Sequence, residues 1–360
     1  MKATARLHEL GQSIWLDNIT RELLESGTLA RYIADLSVTG LTSNPTIFDH
    51  AMKGGDAYDA AIRSKLKAGR SGEALFFELA LEDLTRAADL FRPVYERTDG
   101  VDGFVSLEVS PLLARDTATT LAVAKDLHAR GGRPNLFIKI PGTPEGVPAI
   151  EEAIFAGVPV NVTLLFSSEQ YVASANAYLR GIERRIAAGL NPNVPSVASI
   201  FVSRWDVAVA SKVPATLANR LGIAVARRAY RAYCELASSS RSLRTMNEGA
   251  RPQRLLFAST GTKDPKAPDT LYVGALAAPC TVNTMPENTL HAFADHGSFD
   301  GPIASDGGDC ETVIAEFRKA GVDIDALAKK LQDDGADAFV KSWNELLGVI
   351  AGKSATLQAR

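Results

Sequence analysis

The side chain with the clearest capacity for covalent chemistry in this 360-residue chain is Lys139, which stands inside the apolar run 135–141. That run has the length and β-branched content of a strand buried on both faces by helices. Burial without a partner lowers the pKa of a lysine, and the neutral amine that results is a nucleophile for carbonyl carbon. The alternative interpretation is an edge-strand lysine that extends into solvent.

Two carboxylates stand at comparable positions in other apolar segments. Asp17 ends the run 13–17, and Glu108 lies near the end of the run 103–111. If Lys139 forms an imine with a ketone, a neighbouring carbon–carbon bond can break, provided that a base and a proton shuttle are present. Asp17 and Glu108 could divide these tasks. Alternatively, Asp17 caps a helix that starts at Asn18, and Glu108 forms a structural ion pair with Lys139.

Further polar residues follow the remaining apolar segments. Neutral groups that could hold the hydroxyls of a polyol are Asn44, Asn161 and Ser199, and Thr163 stands close to Asn161 at the end of the same segment. Groups that could contact a phosphate are Arg204, Ser259, Thr260 and Lys263. Arginine suits the second role because its guanidinium can bind phosphate with two hydrogen bonds. Three of these residues could instead have purely structural roles: Asn44 as a turn former, Thr163 as a strand-favouring residue and Arg204 as a surface arginine.

The elements that position these residues are eight short apolar segments separated by helical ones. The segments are residues 13–17, 40–45, 103–111, 135–141, 158–165, 196–203, 254–260 and 280–286. Eight alternating units predict a closed (β/α)8 barrel of parallel strands, with the active site at the carboxyl ends of the strands. A doubly wound sheet is the alternative, but no G-x-G-x-x-G follows the first segment.

The whole chain, 1–360, is predicted to form one barrel domain. Residues from about 309 to 350 are predicted to be a helical C-terminal extension packed on the barrel, followed by about ten frayed residues.

Composition excludes several classes of protein. The net charge is −3, and no basic cluster is interleaved with aromatic residues, which argues against a nucleic-acid partner. The three cysteines are far apart, and no H-x-x-H pair indicates zinc. No signal core or run of about 18 apolar residues occurs, so we expect a cytoplasmic protein without a membrane partner.

The ordered motifs resemble those of the transaldolase family, over about residues 10–296. They are L-D at 16–17, L-T-S-N-P-T at 41–46, V-S-L-E-V at 105–109, F-I-K-I-P at 137–141, N-V-T-L-L-F at 161–166 and S-I-F-V-S-R at 199–204. The resemblance implies a metal-free, cofactor-free class I enzyme on a circularly permuted barrel, similar to the longer bacterial members. It implies transfer of a dihydroxyacetone unit from sedoheptulose 7-phosphate or fructose 6-phosphate to glyceraldehyde 3-phosphate or erythrose 4-phosphate, in the pentose phosphate pathway.

The resemblance also implies a role for each matching residue. Lys139 is the Schiff-base lysine, Asp17 the acid/base for the donor hydroxyl, and Glu108 and Thr163 the flanks of a proton-shuttling water. The dihydroxyacetone unit is bound by Asn44, Asn161 and Ser199, and phosphate by Arg204. Shorter members carry a second phosphate-binding arginine after the seventh strand, where this chain has Ser259 and Lys263. Lys263 is expected to substitute there as a point charge.

Two other functions remain open at this point. One is a fructose-6-phosphate aldolase-like lyase that releases free dihydroxyacetone; that group is similar but shorter, and it lacks the glutamate seen here as Glu108. The other is a non-catalytic sugar-phosphate-binding barrel. The expected partners are phosphorylated sugars, and the expected assembly is a monomer or a homodimer.

Overall fold

A computed structural model describes residues 1–358 and contains eight parallel strands that close into a barrel. The strands are β1 (Ser13–Leu16), β2 (Val38–Thr42), β3 (Val105–Glu108), β4 (Leu136–Pro141), β5 (Val160–Leu165), β6 (Ser196–Phe201), β7 (Arg254–Ala258) and β8 (Val282–Met285). Each strand pairs with the next one in sequence, and β8 pairs with β1. The predicted (β/α)8 barrel is therefore confirmed.

The helices that surround the barrel account for most of the remaining chain. They are α1 (Ala3–Glu9), α2 (Arg21–Glu25), α3 (Thr28–Asp35), α4 (Pro45–Lys53), α5 (Asp59–Lys67), α6 (Gly72–Arg97), α7 (Thr117–Gly131), α8 (Gly146–Phe155), α9 (Ser168–Ala187), α10 (Ser203–Val209), α11 (Leu221–Ala237), α12 (Ser240–Asn247), α13 (Leu271–Ala275), α14 (Glu287–His296), α15 (Cys310–Lys319) and α16 (Ile324–Gln358).

Strand register sets the level of the polar residues inside the barrel. Glu108 on β3 pairs with Lys139 on β4, and Lys139 pairs in turn with Asn161 on β5. These three residues consequently lie at one height on three adjacent strands. Below them the barrel interior is filled by aromatic rings, with Phe104 stacked on Phe137 at a centroid distance of 4.2 Å.

Strand β2 begins two residues before the predicted segment and ends at Thr42, so Asn44 is not part of it. Gly40, the first residue of the predicted segment, lies within this strand. A Cβ at position 40 would stand 2.6 Å from the Trp15 indole nitrogen, so only glycine fits beside that ring. Close packing explains this residue.

Strand β5 has an irregularity next to the predicted site. Its pairing with β6 shifts between Val162 and Leu165, and Leu164 has a φ of 60°. A left-handed backbone is unfavourable for leucine and needs support from its surroundings. That support includes a hydrogen bond of 2.9 Å from the Gln332 side-chain nitrogen of α16 to the Leu164 carbonyl oxygen.

The C-terminal helices cover part of the barrel. Helix α15 packs on α11, and α16 contacts α4, α5, α6 and β5. The prediction of a frayed end after residue 350 was wrong, because α16 continues to Gln358 and buries Leu357. None of the described helices is long and apolar enough to cross a membrane.

Candidate active site

A cleft of about 600 Å³ opens at the carboxyl ends of the strands. Eight of the eleven predicted site residues line it, namely Asp17, Asn44, Lys139, Thr163, Ser199, Arg204, Ser259 and Lys263. The other three are buried: Glu108 and Asn161 lie at the level of Lys139, and Thr260 follows β7, where its hydroxyl bonds to Asn283 Oδ1 and the Thr284 carbonyl oxygen. The structure thus brings all eleven into one region, which parallel strands ending at a common face make possible.

Lys139 is buried but not alone. Its side chain is 6% exposed, and its Nζ donates to Glu108 Oε2 and to the Ser43 carbonyl oxygen, each at 2.9 Å. The interpretation of Lys139 as an edge-strand lysine in solvent is wrong. The premise of a lysine without a partner is also wrong, because the ion pair with Glu108 is present.

Glu108 is only half satisfied by that ion pair. Its side chain is 4% exposed, and its second oxygen, Oε1, has no hydrogen-bond partner in the protein. Burial raises the pKa of Glu108, although the Lys139 ammonium acts in the opposite direction. A structural ion pair would gain from satisfying both oxygens, so the free oxygen favours a role in proton transfer.

Asp17 stands on the first strand end, and its Oδ1 accepts a hydrogen bond of 2.8 Å from Thr42. Burial raises the pKa of Asp17, while the Thr42 hydrogen bond and the Lys139 charge lower it. The alternative of a helix cap is wrong, because α2 begins at Arg21 and is capped by Thr20. Asp17 is therefore a half-buried carboxylate facing the cleft.

The neutral residues differ in how much of their hydrogen-bonding capacity is used. Asn161 donates to Ser106 Oγ at 3.1 Å and accepts from Ser199 Oγ at 2.8 Å. Asn44 caps α4, since its Oδ1 accepts from the Ile47 amide. Thr163 Oγ1 is buried and has no partner in the protein.

The cationic end of the cleft lies around Arg204 at the start of α10. Burial lowers the pKa of this half-buried guanidinium, while the Glu108 and Asp17 charges raise it. Within residues 1–358 it forms no ion pair, so its charge remains available to a ligand. Ser259, at a φ of 57°, shares a hydrogen bond with Ser203, and the exposed Lys263 follows on the same loop.

Several residues of the cleft were not identified from the sequence. Thr42 and Thr284 bond to each other at 2.8 Å beneath Asp17, and Phe201 and Phe339 line the walls. Thr42 lay within the recognised motif and could have been found there. Phe339 comes from α16, where its spacing is that of an ordinary packing residue, so no local signal marked it.

The arrangement suits the making and breaking of an imine. An amine at the base of the cleft contacts one carboxylate, a second carboxylate stands on another strand, and a cation lies at the opposite end. Burial strengthens each of these electrostatic interactions. A carbonyl substrate with a remote anionic group matches this distribution of charge.

Comparisons with known proteins agree with this geometry. The model of the transaldolase/fructose-6-phosphate aldolase family matches residues 14–350. Proteins named transaldolase are similar along almost the whole chain: one from Thermobifida fusca is 48% identical over 355 residues, covering 96% of each chain. Another from Arthrobacter sp. is 44% identical over 98% of each chain, and one from Mycolicibacterium smegmatis is 42% identical over 97% of this chain and 96% of its own.

Proposed function

This chain belongs to the transaldolase/fructose-6-phosphate aldolase family, and we propose that it catalyses the transaldolase reaction through an imine on Lys139. The reaction moves a dihydroxyacetone unit from sedoheptulose 7-phosphate or fructose 6-phosphate to glyceraldehyde 3-phosphate or erythrose 4-phosphate. The observation that carries the proposal is the buried Lys139 amine, 2.9 Å from Glu108 at the base of a cleft with an arginine at its far end.

The first step is attack of the Lys139 nitrogen on the ketone carbon of the donor. The amine must be neutral to attack, and Glu108 is the group in contact that can take its proton. The raised pKa of Glu108 favours that transfer. The carbinolamine then loses water, and the proton for the departing hydroxide can come back through Glu108.

Two unpartnered oxygens support a water-mediated path for these protons. Glu108 Oε1 and Thr163 Oγ1 are both buried without protein partners, and each can hold a water by one hydrogen bond. Ten other buried polar atoms of residues 1–358 also lack protein partners, so what distinguishes these two is that they lie on β3 and β5, the strands on either side of Lys139. We therefore assign the proton shuttle of imine formation and hydrolysis to Glu108 and Thr163.

Asp17 acts on the bond that breaks. It takes the proton from the hydroxyl on the departing carbon, which becomes the aldehyde carbonyl, while the electrons of the breaking carbon–carbon bond move into the iminium and leave an enamine on Lys139. The enamine carbon then attacks the acceptor aldehyde, and Asp17 returns the proton to the new hydroxyl. A raised pKa suits a group that must both accept and return a proton near neutral pH.

The remaining assignments concern binding. Asn44, Asn161 and Ser199 hold the hydroxyls of the dihydroxyacetone unit, and Arg204 holds the phosphate. Ser259 and Lys263 add a hydroxyl and a second positive charge at the same end of the cleft. Lys263 is exposed, so its contribution is weaker and more sensitive to salt than that of Arg204.

The test is reductive trapping. Borohydride added with fructose 6-phosphate should fix one adduct, and peptide mass mapping should place it on Lys139. Lys139→Ala should lose both the adduct and turnover, whereas Lys263→Ala should keep the adduct. An unchanged mass in the folded wild-type protein would exclude an imine mechanism and favour a non-catalytic barrel.

The same protein distinguishes transfer from cleavage. The donor should be consumed only when an aldehyde acceptor is present, because the enamine otherwise stays on Lys139. Release of free dihydroxyacetone at a comparable rate without acceptor would favour the lyase of the same family.

A further inference from the structure

We propose that Phe339, on the C-terminal helix α16, is a positioning residue for Arg204 and so determines selectivity for phosphorylated sugars. This inference rests on the proposed function, and it adds α16 to the phosphate end of the site. Phe339 lines the cleft together with Arg204, although it lies 135 residues further along the chain.

The guanidinium of Arg204 lies among aromatic rings. Its Cζ is 5.1 Å from the centroid of the Phe201 ring and 5.8 Å from that of Phe339. Both distances are within the range of cation–π attraction. Since no carboxylate within residues 1–358 pairs with Arg204, these two rings are the contacts that fix its direction.

The Phe339 ring also lies 5.9 Å from Lys139 Nζ, so it stands between the two ends of the substrate. Its removal should affect these ends unequally. Lys139 is held by two hydrogen bonds of 2.9 Å, to Glu108 and to Ser43, whereas Arg204 has no comparable anchor. The expected consequence is a loss of phosphate binding with imine formation preserved.

Helix α16 is fixed closely enough to hold the ring in place. The Gln332 side chain donates to the Gly142 and Leu164 carbonyl oxygens at 3.0 and 2.9 Å, which ties the helix to the ends of β4 and β5. One turn later, a Cβ at Gly335 would lie 3.0 Å from the Leu164 side chain and 3.1 Å from Arg204 Nη1. Glycine is a poor helix residue, and here it permits close approach to Arg204.

The experiment compares two probes on the same variants. Direct calorimetric binding of inorganic phosphate reports the Arg204 end. Borohydride trapping of unphosphorylated dihydroxyacetone reports the Lys139 end. Phe339→Leu removes the ring while keeping an apolar side chain, and Phe339→Tyr keeps the ring. Trp343→Phe alters packing of the same helix against Phe76 and Phe77, away from Arg204.

In Phe339→Leu we expect phosphate affinity to fall roughly 5- to 10-fold, the size expected for a partly buried cation–π contact. The KM for fructose 6-phosphate should rise in parallel, with kcat and dihydroxyacetone trapping within about twofold of wild type. Phe339→Tyr keeps the ring and should therefore keep phosphate affinity close to the wild-type value. Trp343→Phe should leave phosphate affinity unchanged.

Three results would overturn the inference: unchanged phosphate affinity in Phe339→Leu, equal losses with both probes, or the same loss in Trp343→Phe. Failure of the proposed function would look different, because wild-type protein would then trap no dihydroxyacetone although phosphate binding could still be measured. Gly335→Ala offers an independent check, since the added methyl presses on Arg204 while favouring the helix. It too should weaken phosphate binding.

Discussion

Each end of this barrel buries a carboxylate, but the two carboxylates differ in how completely they are hydrogen-bonded. At the amino ends of the strands, Asp102 accepts hydrogen bonds from the Ser13 hydroxyl, from the Trp15 indole at 2.8 Å and from the Gly103 amide at 2.9 Å. At the carboxyl ends, Glu108 uses one oxygen for Lys139 and leaves the other without a protein partner.

The arginines show the same contrast. Arg254 at the amino ends donates to Ser13 Oγ and the Thr281 carbonyl oxygen, each at 2.7 Å, and to the Val101 carbonyl oxygen at 3.1 Å. Arg204 at the carboxyl ends has aromatic neighbours and no ion pair within residues 1–358.

The difference separates polar groups that stabilise the fold from those that remain open to a substrate. An unsatisfied buried polar group costs about 1–3 kcal/mol of stability. For these charged groups, the amino end of the barrel avoids that cost, and the carboxyl end accepts it where a ligand or a water can complete the hydrogen bonds. The contrast is limited to them, because the neutral amide oxygens of Gln12, Asn135 and Gln253 near the amino ends also lack protein partners. Burial and residue type do not distinguish the two carboxylates; the completeness of their hydrogen bonding does.

The strongest test of this comparison exchanges each carboxylate for its amide. Glu108→Gln should slow imine formation about 10²–10⁴-fold, the value of one positioned acid/base, with little change in unfolding. Asp102→Asn should instead lower the free energy of unfolding by about 1–3 kcal/mol, because an amide nitrogen would face a donor, and should leave kcat intact. Stopped-flow trapping and urea titration measure the two quantities. Equal destabilisation by both substitutions would contradict the comparison.

A second test uses the arginines. Arg204→Ala should weaken binding of phosphorylated sugars about 10- to 100-fold, the range of hydrogen bonds to a charged group, and should spare unphosphorylated analogues. Arg254→Ala should make the protein easier to unfold while KM stays near the wild-type value. Calorimetric titration with both kinds of sugar, beside thermal melts, measures the difference. Losses of the same size for both sugars would remove Arg204 from the phosphate end.

The smallest predicted effect is the pH dependence of stability at Asp17. Burial raises the pKa of this carboxyl in the folded protein. The folded state therefore binds the proton more tightly than the unfolded state, so the stabilising contribution is present at low pH and is lost as pH rises through the folded pKa.

Asp17→Asn has no carboxyl group that titrates at this position, so it does not lose stability in this way as pH rises. As pH rises above about 4, the variant should gain stability relative to wild type until the folded pKa of Asp17 is passed, by at most about 1.4 kcal/mol per pH unit for one proton. Parallel urea titrations of the two proteins measure it. If the variant instead became less stable relative to wild type as pH rises, the folded protein would be stabilising Asp17 in its charged form.

The sequence by itself determined the architecture and most of the polar residues of the candidate site. Eight apolar segments alternating with helices predicted a parallel barrel, and polar residues at their ends had to meet at one face because all strands run in the same direction. Local patterns were less reliable at element boundaries. The second segment was predicted over 40–45, yet β2 runs from Val38 to Thr42, because Asn44 caps α4.

The tertiary structure alone decided how each polar group is partnered. Lys139 and Glu108 are 31 residues apart, and only the register of β3 with β4 places their side chains in contact. Phe339 reaches Arg204 because α16 packs against β5 and is fixed there by Gln332. These contacts depend on barrel closure and helix docking. Both bring together residues that are distant in sequence, and the local sequence around each residue does not predict the contact.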